Sequence, residues 1–592
     1  MKRKQIFKGV SALLIGCVSF MWTQAAHGQQ RDAFKWWDPS KAGFPVLEGQ
    51  GWPGEVPSFY DRLPARAEKV VRAPVWHLSQ QGAGLVIRFR SNAPEIRVRY
   101  TVSEKQALPH MPATGVSGVD LYALSRDGVW QWDGGNWIFG DTISYRFTSL
   151  PHSYVKEYRL YLPLYNHVKW LEIGVPDSSD LSPLGLRPDL PIVVYGTSIA
   201  QGACASRPGM AWTAILGRRL HDPVINLAFS GNGRLEAPVV SLLTELDAKL
   251  YVVDCLPNMS GFPDDTVGAR LVETVKTLRA RRPGVPVLVV EHADATIGSL
   301  DTRRVKIFDR VNEVADSAFR KMKEAGMEDI YMLRAKDIGL DIESTVAGVH
   351  PNDYGMERYA AAYEKKIREI LHEPTGPATT QQPVMQYRDR SYDWESRHKQ
   401  ELALNKKQPP RIVFLGNSIT HFWGGAPKGP LQRGEDSWQR YFAPLGVRNF
   451  GYGWDRVENV LWRVYHGELD GYTAKQVVIN IGTNNIGFNT DAEIVDGLRT
   501  LVAAVRQRQP AASILLLGVY PRRNLEQRVA ALNDRIVDLA AEVNVHYLDP
   551  GRDMLQDDGK INPKYFVSDG LHPSQAGYQV LARAIRPALV QK

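Results

Sequence analysis

One pattern of strand, serine and distant histidine occurs twice in this chain. Around residue 198 the sequence reads VVYGTSIAQG, and around residue 418 it reads IVFLGNSITHFWGG. Each run is an apolar, strand-like segment that ends in Gly, a small polar residue and Ser. A His-Pro pair follows after about 150 residues, at His350 in AGVHPNDYG and at His572 in DGLHPSQAGY. A serine at a strand end with a distant histidine is typical of a nucleophile and its base.

The stretches between each serine and its histidine also correspond. INLAFSGNGRLE and YVVDCLPNM follow Ser198, whereas RNFGYGWDRVENVLWR and VVINIGTNN follow Ser418. The repeat therefore places two further candidate residues after each serine: Gly231 and Asn258 in the first half, and Trp454 and Asn484 in the second. An internal repeat of this length indicates two tandem domains of one fold rather than a short-period solenoid.

Hydrophobic patterning divides the chain into a β-rich part and two α/β parts. From residue 191 apolar strands alternate with amphipathic helices, which predicts a parallel sheet with helices on both faces. Earlier residues form short alternating strands separated by turn signals, which predicts an all-β sandwich. The predicted domains are a β-sandwich (30–186), a first α/β domain (187–371), a Pro/Thr/Gln-rich linker (372–390) and a second α/β domain (391–592).

Both halves resemble the SGNH (GDSL-type) hydrolases, whose four sequence blocks contribute a Ser, a Gly, an Asn and an Asp-x-x-His. The second half carries GNSI, GTNN and DGLHPS in order, and its FAPLGVRNFGYGWDRVENVLWR stretch resembles the platelet-activating-factor acetylhydrolase branch. The first half resembles a divergent GDSL-like group that follows a GxDLY-type domain, and GVDLY stands at residues 118–122. The resemblance implies esterases with three-layer, flavodoxin-like α/β domains and no cofactor.

The second half carries a full set of candidate catalytic residues. We assign Ser418 as the nucleophile, His572 as the base that accepts its proton, and Asp569 as the carboxylate that fixes the imidazole tautomer. Because Asp569 precedes His572 by three residues, one short loop or helical turn can deliver both.

The oxyanion donors of the second half are less regular. The resemblance makes Asn484 a donor through its side-chain amide, and Trp454 stands where the family has a glycine whose backbone N–H serves the oxyanion. The neighbouring Gly453 leaves a second alignment open. The Trp454 indole is expected to wall the pocket and favour a small acyl group. His421, three residues after Ser418, is expected either to line the pocket or to be a helix-start cap or surface residue.

The first half lacks one member of the set. Ser198, Gly231, Asn258 and His350 match the four blocks, but Ala347 takes the place of the aspartate. Loss of the carboxylate's role can lower kcat on the order of 10⁴-fold. A backbone carbonyl, Glu343 or Asp341 could orient the histidine instead. The first site would then remain active, keep weak activity, or serve as a ligand-binding module.

The N-terminus predicts export. Residues 1–28 combine a basic start, an apolar stretch and a small-residue exit, as in a secretory signal peptide. A lipoprotein-type anchor at Cys17 is the alternative. The formal charge of +8 includes four lysine and arginine residues of this segment, which contains no aspartate or glutamate. Without a dense basic stripe we expect no nucleic-acid partner, and no other run is long enough to span a membrane.

Two smaller features have two interpretations each. Cys204 and Cys255 either form a disulfide, which an exported protein permits, or are separate buried residues. The aromatic residues of the β-rich part are expected to belong to its core, with a sugar-stacking platform as the alternative: Tyr122, Trp130, Trp132 and Trp137.

The function that these residues predict is an exported serine esterase that removes O-acetyl or other small acyl groups from an acetylated polysaccharide or oligosaccharide. No histidine or cysteine lies at metal-ligand spacing, so a metal-independent reaction is expected. The alternatives are a lipid acylhydrolase of the lysophospholipase type, and a carbohydrate-binding protein with a vestigial first site.

Overall fold

The computed structural model of the chain describes residues 33–293 and 300–590. The predicted signal peptide and the alternative anchor at Cys17 lie outside these residues. Within them, no helix has both the length and the apolar character that a membrane crossing requires.

The N-terminal β region (34–183) consists of two antiparallel sheets, one with strand order β1-β10-β4-β8-β7 and one with order β11-β3-β9-β5-β6, to which β2 is added beside β3. The strands are β1 (Phe34–Trp37), β2 (Leu47–Glu48), β3 (Val86–Ser91), β4 (Glu95–Val102), β5 (Asp120–Leu124), β6 (Trp130–Asp133), β7 (Asn136–Ile138), β8 (Ile143–Thr148), β9 (Lys156–Tyr161), β10 (Val168–Pro176) and β11 (Leu181–Pro183). Two short helices are α1 (Ala73–Ser79) and α2 (Ala113–Val116). The predicted antiparallel, β-rich character is confirmed.

One buried cluster takes side chains from both of these sheets. Ile96 and Val98 of β4 and Ile87 and Phe89 of β3 all belong to it and are shielded from solvent. Strand β4 alternates these residues with outward-facing arginines, as expected for a strand with one buried face. The sandwich arrangement stays a prediction, which this shared cluster supports.

The aromatic residues of this region divide between core and surface. Tyr122 is buried, but Trp132 and Trp137 are each 49% exposed. The expectation of a core position is therefore correct for Tyr122 and wrong for Trp132 and Trp137. Both exposed tryptophans lie on the last strands of their sheets, where a side chain has a neighbouring strand on one side only.

The first α/β unit (192–370) has a five-stranded sheet with order β13-β12-β14-β15-β16, and every neighbouring pair is parallel. Its strands are β12 (Ile192–Gly196), β13 (Val224–Ala228), β14 (Leu250–Asp254), β15 (Val287–Val290) and β16 (Ile330–Leu333). Its helices are α3 (Ser198–Gln201), α4 (Trp212–Leu220), α5 (Ala237–Leu243), α6 (Asp264–Arg281), α7 (Thr302–Glu324), α8 (Ala335–Ile338) and α9 (Asp353–Ile370).

The second α/β unit (394–590) repeats this sheet with order β18-β17-β19-β20-β21, again parallel throughout. Its strands are β17 (Ile412–Gly416), β18 (Val447–Gly451), β19 (Gln476–Asn480), β20 (Ser513–Leu517) and β21 (His546–Leu548). Its helices are α10 (Trp394–Lys407), α11 (Ser418–His421), α12 (Glu435–Tyr441), α13 (Val457–Arg463), α14 (Asp491–Arg508), α15 (Glu526–Glu542) and α16 (Gln575–Val590).

The first strand in chain order of each sheet, β12 or β17, lies inside the sheet and is buried on both faces. In β12, Ile192 and Val194 pack into one hydrophobic cluster, whereas Val193 and Tyr195 pack into another. Such continuous apolar runs are typical of parallel strands covered by helices on both sides. The prediction of two α/β domains with parallel sheets is confirmed.

The segment predicted as a linker lies against the second unit. Gln381 donates its side-chain amide to Thr500 Oγ1 of α14 at 2.9 Å. Gln386 donates to the backbone oxygen of Gly453 at 2.8 Å and to Asp455 Oδ1 at 2.9 Å. These contacts tie residues 372–390 to α14 and to the loop that follows β18.

A buried arginine lies along the edge strand of each parallel sheet. Nη1 of Arg62, from the N-terminal β region, donates to the backbone oxygens of Asn226 and Ala228 on β13 at 2.8 and 3.0 Å. The rest of its guanidinium donates to Gln81 and Leu78, also through backbone oxygens. Arg62 thereby satisfies carbonyls of an edge strand that has no further strand to pair with.

The second unit repeats this device with an arginine of α10. Arg397 donates to the backbone oxygens of Asn449 and Gly451 on β18 at 3.0 and 2.9 Å. These residues occupy the register positions that Asn226 and Ala228 occupy in the first sheet. Each α/β unit therefore depends on an arginine that precedes its own first strand.

Replacing Arg62 by methionine should destabilise the first unit. At least two buried carbonyl oxygens of β13 would lose their donor, at about 1–3 kcal/mol each, so we expect the free energy of unfolding to fall by about 3 kcal/mol or more. Urea denaturation of Arg62→Met against the parent measures this change. Arg320→Met, which removes an exposed arginine of α7, is the control, and equal stability of both variants would contradict the prediction.

Candidate active sites

Ser418 begins α11 immediately after β17, at the carboxyl end of the second parallel sheet. The Asn417 side chain accepts the backbone N–H of Ile419 at 2.9 Å and so caps this short helix. The turn is tight, because a Cβ at Gly416 would lie 2.1 Å from Thr420 Oγ1. Steric crowding therefore explains the glycine of the Gly-Asn-Ser sequence, and helix capping explains its asparagine.

A short loop before α16 supplies both His572 and Asp569. His572 Nε2 lies 2.8 Å from Ser418 Oγ, and Nδ1 lies 2.7 Å from Asp569 Oδ2. Burial raises the pKa of Asp569, but the hydrogen bonds from His572 outweigh burial and hold this pKa below its usual range. The carboxylate is therefore ionised at neutral pH and can orient the imidazole.

Trp454 has a backbone conformation that normally selects glycine. Its φ is 66°, and φ of Gly231 in the first unit is 68°. Both residues lie three positions beyond the end of their edge strands, β18 and β13. The structure therefore places Trp454 and Gly231 at equivalent points. The indole is 50% exposed.

The alternative alignment through Gly453 is not supported by the geometry. The backbone N–H of Gly453 donates to His421 Nδ1 at 3.1 Å and is already occupied. His421 is buried, and burial lowers its pKa to about 2, so the ring is neutral and accepts this bond. Of the expectations for His421, neither the helix cap nor the surface position is correct, because the ring supports the Gly453 backbone.

Asn484 lies against the same loop. Its Nδ2 donates to the backbone oxygen of Asp455 at 2.9 Å, which leaves one amide hydrogen for another acceptor. Asp455 is fully buried, and burial raises its pKa to about 6 although Arg463 lies beside it. Its carboxylate accepts from Arg463 Nε at 2.9 Å and from Trp394 Nε1 at 2.8 Å. This buried network fixes the loop that carries Trp454.

The first unit brings its serine and histidine together in the same way. Ser198 begins α3 after β12, and its Oγ lies 2.9 Å from His350 Nε2. Asn258 accepts the backbone N–H of Gly233 at 3.1 Å through Oδ1, beside Gly231. Ser198, Gly231 and Asn258 therefore follow the carboxyl ends of three neighbouring strands, β12, β13 and β14, and His350 joins them through Ser198.

Among the described residues, no carboxylate contacts His350. Asp341, expected as a substitute, instead accepts from Arg358 Nη2 at 3.0 Å and from Ser344 Oγ at 2.6 Å. Glu343 makes no hydrogen bond or ion pair with His350 either. Burial, together with the nearby His110, lowers the pKa of His350 below its usual range.

The N-terminal β region borders the first site. The Tyr165 hydroxyl donates to the backbone oxygen of Ser198 at 3.3 Å, and the ring centres of His110 and His350 lie 5.8 Å apart. Neither residue was predicted from the sequence, since both come from loops of another domain. Their contribution depends on docking between domains, which no local pattern encodes.

The GVDLY motif joins this region to the first unit. Asp120 accepts from Arg207 Nη1 at 2.6 Å and from the Gly209 backbone N–H at 2.9 Å, both in the loop after α3. The same carboxylate accepts from Trp132 Nε1 at 2.6 Å. Tyr122 contributes a hydroxyl that also accepts from Arg207. The motif thus holds the loop that follows Ser198.

The two cysteines among the described residues are free and buried. They belong to different hydrophobic clusters of the first unit. Of the two interpretations, the separate buried residues are correct and the disulfide is wrong. Burial raises the pKa of Cys204 to about 11, so this thiol is protonated at neutral pH.

Comparison with protein-family models matches three stretches of the chain. Residues 34–181 match the N-terminal region of SGNH-type esterases known as GxDLY. Residues 189–368 and residues 414–580 each match a model of the GDSL-like lipase/acylhydrolase family.

Individual relatives agree with these matches. Human platelet-activating factor acetylhydrolase IB subunit alpha1 is 32% identical over 203 residues, which cover 33% of this chain and 83% of the relative. A solved structure of a putative GDSL-like lipase from Bacteroides ovatus is 32% identical, with a TM-score of 0.53, over 57% of this chain and 98% of that one. The chain belongs to the GDSL-like lipase/acylhydrolase (SGNH hydrolase) family, with a GxDLY region followed by two hydrolase domains.

Proposed function

We propose that this protein is an exported serine esterase that removes O-acetyl or other small acyl groups from polysaccharide or oligosaccharide. The observation that carries the proposal is the unbroken chain of contacts from Ser418 through His572 to Asp569, with distances of 2.8 and 2.7 Å. Export rests on residues 1–28, which have the pattern of a signal peptide.

In this mechanism His572 takes the proton of the Ser418 hydroxyl as its oxygen attacks the ester carbonyl. The imidazolium that forms is stabilised by Asp569, and it then donates the proton to the sugar oxygen as the ester bond breaks, so that the sugar leaves with a free hydroxyl. Water attacks the acyl-enzyme in a second round with the same histidine as base, which releases the acid and restores the serine.

The developing oxyanion would receive hydrogen bonds from the backbone N–H groups of Ser418 and Trp454 and from the Asn484 amide. Trp454 has a left-handed backbone conformation, like Gly231 in the first unit. Its N–H therefore points in a different direction from that of an extended residue. Each such donor is worth about 3–4 kcal/mol in the transition state.

The residues around Trp454 support a carbohydrate substrate. Trp454 and Phe488 are 50% and 63% exposed. Arg388 and Arg456 lie over the Phe488 ring, 4.6 and 5.2 Å from its centre. Exposed rings together with guanidinium donors suit sugar rings, which combine apolar faces with hydroxyl groups. The name of the acetylhydrolase relatives supports acetyl as the acyl group.

Two alternatives are tested by the same set of substrates. A lipid acylhydrolase would prefer long acyl chains, whereas a carbohydrate-binding protein with vestigial sites would release no acid at all. The absence of a carboxylate beside His350, among the described residues, favours reduced activity in the first site over equal activity.

Serine variants should separate the two sites. We expect Ser418→Ala to remove most acetate release from acetylated xylan, because His572 has a carboxylate partner whereas His350 has none among the described residues, and Ser198→Ala to remove a small part. Acetate release by the parent, both single variants and the double variant measures this, with Ser513→Ala as control. Full activity of the double variant would refute the serine mechanism.

Restoring a carboxylate should activate the first site. Gly348 and Gly570 share a left-handed φ, of 74° and 65°, so Ala347 occupies the place of Asp569 relative to its histidine. In a Ser418→Ala background, Ala347→Asp should raise kcat about 10²-fold or more, as the new carboxylate stabilises the imidazolium. The lowered pKa of His350 should also rise, so the acid limb of the pH–rate profile should move to higher pH. An unchanged kcat and profile would contradict this assignment.

Trimming Trp454 should widen the range of acyl groups. Glycine adopts a φ of 66° without strain and keeps the backbone N–H. Trp454→Gly should therefore retain activity on p-nitrophenyl acetate and gain activity on the butyrate and octanoate esters. Trp137→Ala, a tryptophan of the N-terminal β region, is the control. An unchanged chain-length profile would show that the indole does not limit the acyl group.

A further inference from the structure

Three potential metal ligands meet beside the first serine. One ring nitrogen each of His110 and His350 and the sulfur of Cys204 all lie within 4.8 Å of one another. They come from the N-terminal β region, from the loop before α9 and from the loop after α3. When an ion binds, the Cys204 thiol releases its proton to solvent, and two imidazoles and the resulting thiolate form a donor set that suits zinc.

The segments that carry these side chains are held in place. Leu108 and Met111 exchange backbone hydrogen bonds of 3.1 and 3.0 Å, so His110 lies at the tip of a closed turn. Thr114 Oγ1, a few residues further along, donates to the backbone oxygen of Ser206 at 2.7 Å. This bond ties the His110 segment to the Cys204 loop across the domain boundary.

The side chains themselves are available. The Cys204 thiol is free and buried, and its residue has a left-handed φ of 70°. His350 Nε2 contacts Ser198, but its Nδ1 has no hydrogen-bond partner among the described residues. His110 is exposed, so its ring can turn and an ion has a route of entry.

The spacing requires only a small adjustment. Zinc binds nitrogen at about 2.0–2.1 Å and sulfur at about 2.3 Å, so the ligand atoms of a tetrahedral site lie about 3.3–3.8 Å apart. The three separations are at most 4.8 Å, and small rotations of the His110 ring and of the Cys204 side chain can shorten them to this range. Three protein ligands leave the fourth position open.

We propose that His110, Cys204 and His350 form a zinc site that inhibits the first hydrolase site by blocking His350 as a base. When zinc takes the electron pair of Nδ1, the proton of the neutral ring stays on Nε2, so Nε2 can donate to Ser198 but cannot accept its proton. The inhibition rests on the proposed esterase function, whereas the metal site does not.

The second site has no equivalent cluster among the described residues. Its histidine is paired with Asp569 at 2.7 Å, and both free cysteines lie in the first unit. Zinc should therefore act on one site and leave the other unaffected. The exported protein would hold two hydrolase sites with different responses to metal.

Metal binding is tested directly with Co²⁺ as a spectroscopic probe of zinc. After treatment with a chelator, the full-length protein should bind one Co²⁺ with a thiolate-to-cobalt charge-transfer absorption. Calorimetric titration with Zn²⁺ gives the affinity. Because even outer-shell partners are worth about 10–100-fold, Cys204→Ser and His110→Ala should each weaken binding by at least about 100-fold. His152→Ala, which removes another exposed histidine of the same region, is the control.

Inhibition is tested in the two single-site backgrounds. Zinc should suppress esterase activity in the Ser418→Ala background, and Cys204→Ser should remove this effect, whereas the Ser198→Ala background should be insensitive. If the Ser418→Ala background has no esterase activity but still gives the cobalt spectrum, the esterase function of the first site is refuted and the metal site is not. The same cobalt binding in Cys204→Ser as in the parent would overturn the metal site, and equal inhibition of both backgrounds would overturn its selectivity.

Discussion

Both hydrolase units depend on one interaction, in which a buried arginine donates hydrogen bonds to the backbone carbonyls of an edge strand. The strands β13 and β18 have a neighbour on one side only, and each leads directly into the residue with left-handed backbone, Gly231 or Trp454. Arg62 and Arg397 satisfy the free side of these strands. If the strand end moved, the backbone N–H groups of these two residues would move with it. Burial of a guanidinium is costly, and both buried guanidinium groups lie where they fix the position of the residue with left-handed backbone.

The two α/β units share one frame and differ in the surroundings of the histidine. The serine, the histidine and the left-handed residue occupy equivalent positions in both units. The support of the histidine differs, since Asp569 contacts His572 whereas the neighbours of His350 are His110 and a thiol. The first site also receives side chains from the GxDLY region. Its specificity can therefore change through mutations in a different domain.

The sequence was sufficient to predict the sheets and the serine–histidine pairs, because local patterns encode both. Apolar strands that end in Gly-x-Ser and a His-Pro before a helix can be recognised without any tertiary contact. Arg62, His110 and the role of Asp120 could not be predicted, because their partners lie in another domain and depend on docking. The exposure of Trp132 and Trp137 was mispredicted for a similar reason, since strand order within a sheet is not visible in one strand's pattern.

The packing of the segment 372–407 has a consequence for modularity. The family match of the second hydrolase begins at residue 414, yet Gln386 and Trp394 bind Asp455, and Arg397 lies along β18. A gene fragment cut at the family boundary would encode a sheet without its arginine and a loop without its anchors. The stretch of sequence that this domain needs is therefore longer than the stretch that matches the family model. Recombination that transfers it intact must carry the preceding forty or so residues along.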